Sequence, residues 1–251
     1  MKNERSLKAE IDAAEAIRQQ KYPTASALFL AGSIIRGEGT EHSDLDIVVV
    51  YEHLPAAYRE SFKFSGWPVE AFVHDANTLA YFFEEFDRKR GVPSLASMVN
   101  EGLEIPAPTS LSKTCKALAN ALLSKGPPAW NQTDIDASRY CITNLVDDLR
   151  QPRSHIEIIA TVTELHGALA KHVFRTRGMW SATGKMIPRQ LDRMMPEIAI
   201  KWQDCFTRLL ETGNPENLIL MVESLLEPDG GLLFEGYLQN APVSWRSDFG
   251  I

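Results

Sequence analysis

Cysteine is scarce in this chain of 251 residues, which contains only Cys115, Cys141 and Cys205. None of them lies in a C-x-x-C pair, the spacing of many zinc and redox sites. We therefore expect buried free thiols rather than a disulfide framework or a cysteine-bound metal.

Long apolar runs are also missing. No stretch of about eighteen consecutive apolar residues occurs, which is the length that a membrane-spanning helix needs. The first thirty residues begin with Lys2, Glu4 and Arg5 and lack the uninterrupted apolar core of a secretory signal. We expect a cytoplasmic protein that does not associate with membranes.

The chain has no excess of positive charge. It carries 26 Lys and Arg against 33 Asp and Glu, for a formal net charge of -7. Proteins that bind nucleic acid along an extended surface neutralise its phosphates with basic side chains. The charge balance therefore argues against extended nucleic-acid binding and favours small or protein partners.

The first hundred residues predict a helix followed by at least three strands. The helical period begins near Ser6, and short apolar runs at residues 25–31, 44–51 and 69–74 have the length and composition of strands. Between the second and third strands, residues 55–62 suggest a short helix. The second strand is the clearest, because Ile47 and the three valines after it form an unbroken β-branched run.

The second half of the chain is helical by period, with apolar residues at helical spacing in several separate segments. Pro106 and Pro108 interrupt the pattern between the halves. We predict an N-terminal domain over residues 1–108 and an all-α helical bundle over residues 109–251.

One constellation carries chemistry: Gly32-Ser33, then ten residues, then Asp44-Leu45-Asp46. Residues two apart on a strand point to the same face, so the two aspartate carboxylates lie side by side. Like charges at that separation repel unless a cation lies between them. Because hard divalent cations take carboxylate ligands, the pair predicts a site for Mg²⁺ or Mn²⁺.

Gly32 and Ser33 supply the other half of this predicted site. A glycine at the end of a strand allows close approach of the backbone to a ligand, and Ser33 is placed to cap a helix that begins there. A helix N-terminus with a nearby hydroxyl forms a cradle for phosphate. Gly32, Ser33 and Ser43 are the candidate nucleotide-binding residues of this segment.

The run LAGSIIRGEGTEHSDLDIVV at residues 30–49 resembles the signature of the polymerase-beta-like nucleotidyltransferase superfamily. Within that superfamily it is most similar to the bacterial aminoglycoside nucleotidyltransferases and their relatives. The resemblance implies an α+β fold in which a small mixed sheet with helices holds a strand-borne carboxylate pair that binds magnesium. It also implies transfer of a nucleotidyl group.

Such enzymes carry a third carboxylate on a later strand, and Glu70 occupies the matching place within Val-Glu-Ala-Phe-Val. A charged side chain within an otherwise apolar strand is unusual unless it has a partner or a function. The resemblance implies that Glu70 is a metal ligand, the base that deprotonates the acceptor, or both. The alternative is an exposed glutamate on an edge strand.

In the second half, residues 178–186 superficially resemble a phosphate-binding loop. Five residues rather than four separate the two glycines, and Met186 stands where a Ser or Thr is needed for magnesium. The segment is more similar to the tryptophan-glycine-lysine stretch in relatives of the aminoglycoside nucleotidyltransferases. That similarity implies that Lys185 binds the triphosphate and that Arg189 assists, although a solvated helix start after Pro188 is an equal alternative for Arg189.

The histidines do not indicate a second metal site. His74, His166 and His172 could serve as bases or ligands, but none has zinc-ligand spacing with a cysteine. We expect them to be hydrogen-bonded core residues or surface residues.

The predicted activity is metal-dependent transfer of a nucleoside monophosphate, with ATP as the donor by family resemblance, to a hydroxyl group of an acceptor. The net acidity suits a cationic, aminoglycoside-like small molecule as the acceptor. Two other functions stay open: a transferase that attaches AMP to a protein, and a toxin-neutralising module that binds nucleotide without turnover.

Overall fold

The computed structural model describes residues 4–40 and 42–246 and divides the chain into two compact units, Met1–Pro128 and Ala129–Ile251. The first unit contains α1 (Glu4–Lys21), β1 (Ala27–Ala31), α2 (Gly32–Ile35), β2 (Leu45–Val50), β3 (Tyr58–Phe64), β4 (Trp67–His74), α3 (Ala76–Phe82), a π-helical turn (Phe83–Arg88), α4 (Ser94–Glu101), β5 (Leu103–Ile105) and α5 (Ser110–Lys125).

The strands form one five-stranded sheet in the order β3-β4-β2-β1-β5. Strands β2 and β4 run parallel, whereas the β1–β2, β1–β5 and β3–β4 pairs are antiparallel. The sheet is therefore mixed, as the sequence resemblance implied. Strand β2 lies at its centre and is almost entirely buried, which explains its unbroken run of Ile and Val.

The two faces of the sheet differ. On one face Leu45, Ile47 and Val49 join a core that includes Ala14 and Ile17 of α1. Because side chains alternate along a strand, the intervening residues of β2 point to the opposite face, on which α4 packs. That opposite face carries the acidic residues described below.

The prediction of a short helix at residues 55–62 is wrong. Strand β3 covers most of that segment and pairs with β4. Ser65 and Gly66 join the two strands and both have positive φ, 47° and 89°, as a two-residue hairpin turn requires. Strand β3 is an edge strand with alternating exposed and half-buried residues. Pairing across the hairpin therefore outweighed the weak local preference for a helix.

The division of the chain into compact units falls after Pro128, whereas the sequence pattern placed the domain boundary after residue 108. Helix α5 lies between these two positions. It begins in a capping box formed by Thr109 and Ser112, and it packs against α3, α4 and the π-helical turn. Its contacts thus join it to the first unit.

The second unit is a helical bundle, which confirms the predicted fold class. It contains α6 (Gln132–Arg150), α7 (His155–Thr176), α8 (Met186–Met194), α9 (Pro196–Thr212), α10 (Glu216–Leu226) and two 3₁₀ turns (Glu227–Asp229 and Val243–Trp245). Leu165, Leu169, Leu191, Leu209 and Val222 are fully buried in its core.

None of the helices in the described ranges is long and apolar enough to cross a membrane. The three cysteines are free thiols, as expected, but only Cys115 is buried. Cys205 is partly buried and Cys141 is exposed, so the expectation of buried thiols is wrong for Cys141. Cys141 lies on α6, whose core positions are filled by residues at other points of the helical period.

Candidate active site

Two aspartates lie at the entrance to the central strand. Asp44 directly precedes β2 and is exposed, whereas Asp46 lies within β2 and is half-buried. Residue 46 lies in register with Ala31 on one neighbouring strand and with Glu70 on the other. The rigid centre of the sheet therefore fixes the Asp46 backbone from both sides.

Glu70 is brought to the aspartates by the parallel pairing of β2 with β4. One carboxylate oxygen from each of Asp44, Asp46 and Glu70 can be chosen such that the three lie within 4.8 Å of one another. Two oxygens that bind the same Mg²⁺ at about 2.1 Å lie at most about 4.2 Å apart. The three residues thus fit a shared divalent cation in ligand chemistry, and oxygens up to 4.8 Å apart need to approach one another only slightly to share it.

The approach of Asp46 to the first strand requires glycine at position 32. Gly32 has φ +78°, and a Cβ at this position would lie 2.0 Å from Oδ2 of Asp46. No side chain is compatible with that distance unless the carboxylate moves. Gly32 therefore creates the space that the Asp46 carboxylate occupies.

The hydroxyl groups of Ser33 and Ser43 lie beside the acidic residues. Their Oγ atoms are 3.4 Å apart, and Ser43 Oγ also accepts a hydrogen bond from the Thr40 backbone N–H at 2.8 Å. Ser33 was expected to cap a helix, and this is wrong: the N-cap of α2 is Ala31, whose side chain makes no capping hydrogen bond. Ser33 lies instead in the first turn, because the helix starts at Gly32, two residues before the start that a cap at Ser33 implies.

Arg59 is a residue of this site that the sequence reasoning missed. It lies on β3, forms an ion pair with Glu70, and stacks over the Phe72 ring at 4.9 Å from the ring centroid. The alternation of polar and apolar residues in Ser-Phe-Lys-Phe at residues 61–64, just before the Ser65-Gly66 turn, was the available signal. Because the segment was interpreted as a helix, Arg59 was not placed beside Glu70.

His74 and its neighbour Asp75, at the end of β4, behave as structural residues rather than as bases of the site. Asp75 caps α3 by accepting the Thr78 backbone N–H at 2.8 Å, and it also accepts the Leu54 N–H at 3.0 Å. Burial alone would raise the pKa of Asp75, but these hydrogen bonds lower it overall. His74 is buried and contacts the Thr78 hydroxyl, and burial lowers its pKa to about 4. Four residues of strand place His74 about 13 Å along β4 from Glu70.

Lys185 and Arg189 belong to the second unit. Lys185 is exposed and directly precedes α8, and Arg189 is partly buried on that helix, with Nη1 at 3.6 Å from Sδ of Met186. Their role in triphosphate binding stays a prediction. His172, by contrast, is a hydrogen-bonded core residue as expected, between Ser138 Oγ at 3.0 Å and Asp229 Oδ2 at 3.1 Å.

Comparison with known proteins agrees with this geometry. Residues 11–95, which contain all three carboxylates, match the family model described as nucleotidyltransferase domain. Residues 11–95 are therefore a nucleotidyltransferase domain, as the motif at residues 30–49 predicted.

A solved structure of a nucleotidyltransferase-like protein from Exiguobacterium sibiricum is similar at 15% identity and a TM-score of 0.44. The similarity covers 87% of this chain and 75% of that one. No curated protein matches the chain.

Proposed function

We propose that this enzyme transfers the AMP unit of ATP to a hydroxyl group of a cationic small molecule, with Mg²⁺ or Mn²⁺ held by Asp44, Asp46 and Glu70. The approach of these three carboxylates to within 4.8 Å carries the proposal. Carboxylates this close repel one another strongly, and a divalent cation bound among them removes that repulsion.

Asp44 and Asp46 would act as ligands at the mouth of β2, where the strand holds their backbone rigid. When bound, the cation would offset the negative charge that develops on the leaving pyrophosphate and align the α-phosphorus for in-line attack. The two aspartates thereby orient the triphosphate with no covalent intermediate on the protein.

Glu70 would accept the proton of the acceptor hydroxyl. The acceptor oxygen forms the new bond to the α-phosphorus, while the bond from that phosphorus to the oxygen of pyrophosphate breaks. Glu70 lies in register with Asp46, which supports a role as both metal ligand and base. The same carboxylate lies beside the proposed metal ligands and can reach an acceptor held next to them.

Other residues are proposed to hold the phosphates. The hydroxyl groups of Ser33 and Ser43, together with the backbone at Gly32, offer uncharged hydrogen bonds next to the carboxylates. Lys185 and Arg189 are assigned to the triphosphate from the sequence pattern at residues 178–186 alone. In this proposal, residues 1–108 form the catalytic domain and residues 109–251 the helical domain that contributes these two cations.

A cationic, aminoglycoside-like acceptor is favoured by charge. The chain carries a net charge of -7, and its site contains three carboxylates, so an acceptor with several ammonium groups would be attracted to it. Such acceptors also carry the hydroxyl groups that the transfer requires.

The decisive experiment is incubation of the enzyme with each nucleoside triphosphate, labelled at the α-phosphate, in the presence of Mg²⁺. Aminoglycosides, a mixture of proteins and RNA are supplied as separate acceptors. We expect label on the aminoglycosides with ATP as the preferred donor. Asp46→Ala should transfer no label, whereas Asp12→Ala, the same change at an exposed position of α1, should transfer normally.

Other outcomes would redirect the assignment. Label on a protein side chain would identify a protein AMP-transferase and overturn the small-molecule acceptor. Metal-dependent nucleotide binding without label on any acceptor would instead favour a nucleotide-binding module.

A further inference from the structure

The second unit contains a cavity whose lining includes none of the residues assigned to the transfer reaction. It has a volume of about 490 Å³ and lies among helices α7, α8 and α9. Pockets that bind small molecules in proteins have volumes of roughly 300 to 1,000 Å³. The cavity is thus large enough for a molecule of two or three rings.

Its wall is largely aromatic and apolar. Trp202 stacks on Phe206 with ring centroids 5.0 Å apart, and the His166 ring stands edge-on to both at 5.3 and 4.9 Å. Val162 and Leu191 extend the apolar surface on the neighbouring helices. Planar rings gain most from such an arrangement, because stacked and edge-on contacts both favour them.

Two polar groups of this wall lack protein partners. The described part of the chain provides no hydrogen bond to either ring nitrogen of the half-buried His166. The indole Nε1 of Trp202 is buried and likewise has no hydrogen-bond partner in the described part of the chain. Because Trp202 Nε1 is shielded from solvent, only the half-buried His166 ring is open to a hydrogen bond with a ligand in the cavity.

The charges of the lining argue against an anionic ligand. Of the described residues that line the cavity, none is Lys or Arg, and Asp192 is the one carboxylate. Burial lowers the pKa of His166, so its imidazole is neutral near pH 7 and offers one donor and one acceptor. An anion such as a nucleoside triphosphate would find no counter-charge here.

We propose that the cavity between α7, α8 and α9 binds a small, neutral, planar aromatic molecule that forms a hydrogen bond with His166. The site is separate from the proposed nucleotide site in chemistry as well as in sequence. It lies wholly within the helical unit, so the proposal does not depend on the identity of the transfer reaction.

The test uses N-phenyl-1-naphthylamine, a neutral aromatic amine whose fluorescence rises in apolar surroundings, titrated against the full chain. We expect saturable binding of one molecule per chain. The comparison probe is 8-anilinonaphthalene-1-sulfonate, which has the same rings and an added anionic group. It should bind at least about 10-fold more weakly, because no cation of the lining offsets the desolvation of its charge.

Two matched variants locate the binding. Thr163 lines the cavity and Glu164 does not, although both are exposed neighbours on α7. Thr163→Phe should fill the cavity and weaken binding at least about 10-fold, whereas Glu164→Phe should leave it within about 2-fold of wild type. His166→Phe keeps a ring but removes the hydrogen bond, so binding should weaken by roughly 2- to 10-fold.

Equal affinity of the Thr163→Phe and Glu164→Phe variants for the neutral probe would overturn the proposal. So would equal affinity of the wild-type chain for the two probes. Circular dichroism of each variant establishes that the helices are intact. Because the measurement is of binding, a failed transfer assay would leave its outcome unchanged.

Discussion

Glu70 is a single carboxylate with two possible partners. It lies opposite Asp46 in the β2–β4 ladder, where a cation would bind it, and it forms an ion pair with Arg59 from the edge strand. A base needs a free carboxylate oxygen, whereas a metal ligand needs one that points to the cation. The balance between these roles can be measured.

Glu70→Gln keeps the size and hydrogen bonding of the side chain but removes its ability to accept a proton. If Glu70 acts chiefly as the base, turnover should fall by roughly 100- to 10,000-fold while ATP affinity in limiting Mg²⁺ stays near wild type. If it is mainly a ligand, ATP affinity falls together with turnover. Titration of ATP and Mg²⁺ against both proteins separates the roles, and an unaltered variant would remove Glu70 from the site.

Gly32 can be tested against a second glycine, Gly37, that has a similar positive φ. Gly32 and Gly37 have φ of +78° and +71°, but a Cβ at position 37 would meet nothing within 4 Å, whereas one at position 32 would displace Oδ2 of Asp46. Both alanine variants should lose about 1 to 2 kcal/mol of stability from the left-handed backbone. Only Gly32→Ala should also lose transfer activity, by at least about 10-fold. Similar activity of the two variants would show that the close approach to Asp46 is not needed.

At the scale of secondary-structure elements, the β3–β4 hairpin brings a cation to the acidic site. Arg59 and Glu70 are diagonal neighbours across the two strands, since Arg59 is in register with Phe72 and Glu70 with Ser61. Arg59 is largely exposed. A metal that binds Glu70 must therefore compete with a solvent-screened guanidinium group.

Arg59→Gln should accordingly strengthen Mg²⁺ binding in the absence of nucleotide. Exposed ion pairs contribute about 0.2 to 1 kcal/mol, so the expected gain in affinity is only about 1.5- to 5-fold. Isothermal calorimetry with Mn²⁺ or Mg²⁺ measures it, and Arg59→Lys, which keeps the charge, is the control. A loss of metal affinity in Arg59→Gln would show that Arg59 positions Glu70 for the metal rather than competing with it.

The junction of β4 and α3 makes the first unit sensitive to acid. His74 is buried there, edge-on to Phe82 at 4.9 Å, and burial lowers its pKa from 6.5 to about 4. As the pH falls below 6.5, the unfolded chain binds a proton at this residue before the folded chain does. Stability is therefore lost between about pH 6.5 and 4, and the loss is complete below pH 4.

The expected loss is about 3 kcal/mol, since each pKa unit corresponds to about 1.4 kcal/mol. The free energy of unfolding should thus fall more between pH 7 and 4 for wild type than for His74→Gln, by about that amount. His155→Gln, the same change at an exposed histidine, is the control and should lose stability on acidification as wild type does. If His74→Gln and wild type lost stability equally on acidification, the buried neutral histidine would not be the cause.

At the scale of the whole molecule, a net charge of -7 repels a nucleoside triphosphate, and three of the negative charges lie where its phosphates are proposed to bind. Nucleotide binding should therefore require a divalent ion. We expect ATP affinity to fall at least about 10-fold when Mg²⁺ is replaced by excess chelator. Equal affinity under both conditions, measured by calorimetry, would refute the metal role.

The elements that could be predicted from the sequence are those whose own residues have a distinctive composition. Strand β2 was evident because the central strand is buried on both faces. Asp44, Asp46 and Glu70 were predicted because they interrupt or precede apolar strands and match the carboxylates that the family resemblance implies. The edge strand β3 was missed because a half-exposed strand has the composition of many surface segments and is stabilised by its partner. Arg59 was missed with it, since its proximity to Glu70 depends on that pairing alone.

The pairing of β2 with β4 also bears on how the site can change over evolutionary time. The two strands hold Asp46 opposite Glu70 in one ladder, and the chain between them leaves the ladder to form β3 outside β4. Residues 51–57, which connect β2 to β3, can therefore acquire substitutions or insertions without altering the ladder that opposes the two carboxylates. Descendants of one ancestral enzyme could thus vary the surface beside a constant reaction centre, and this segment is where diversification among relatives should concentrate.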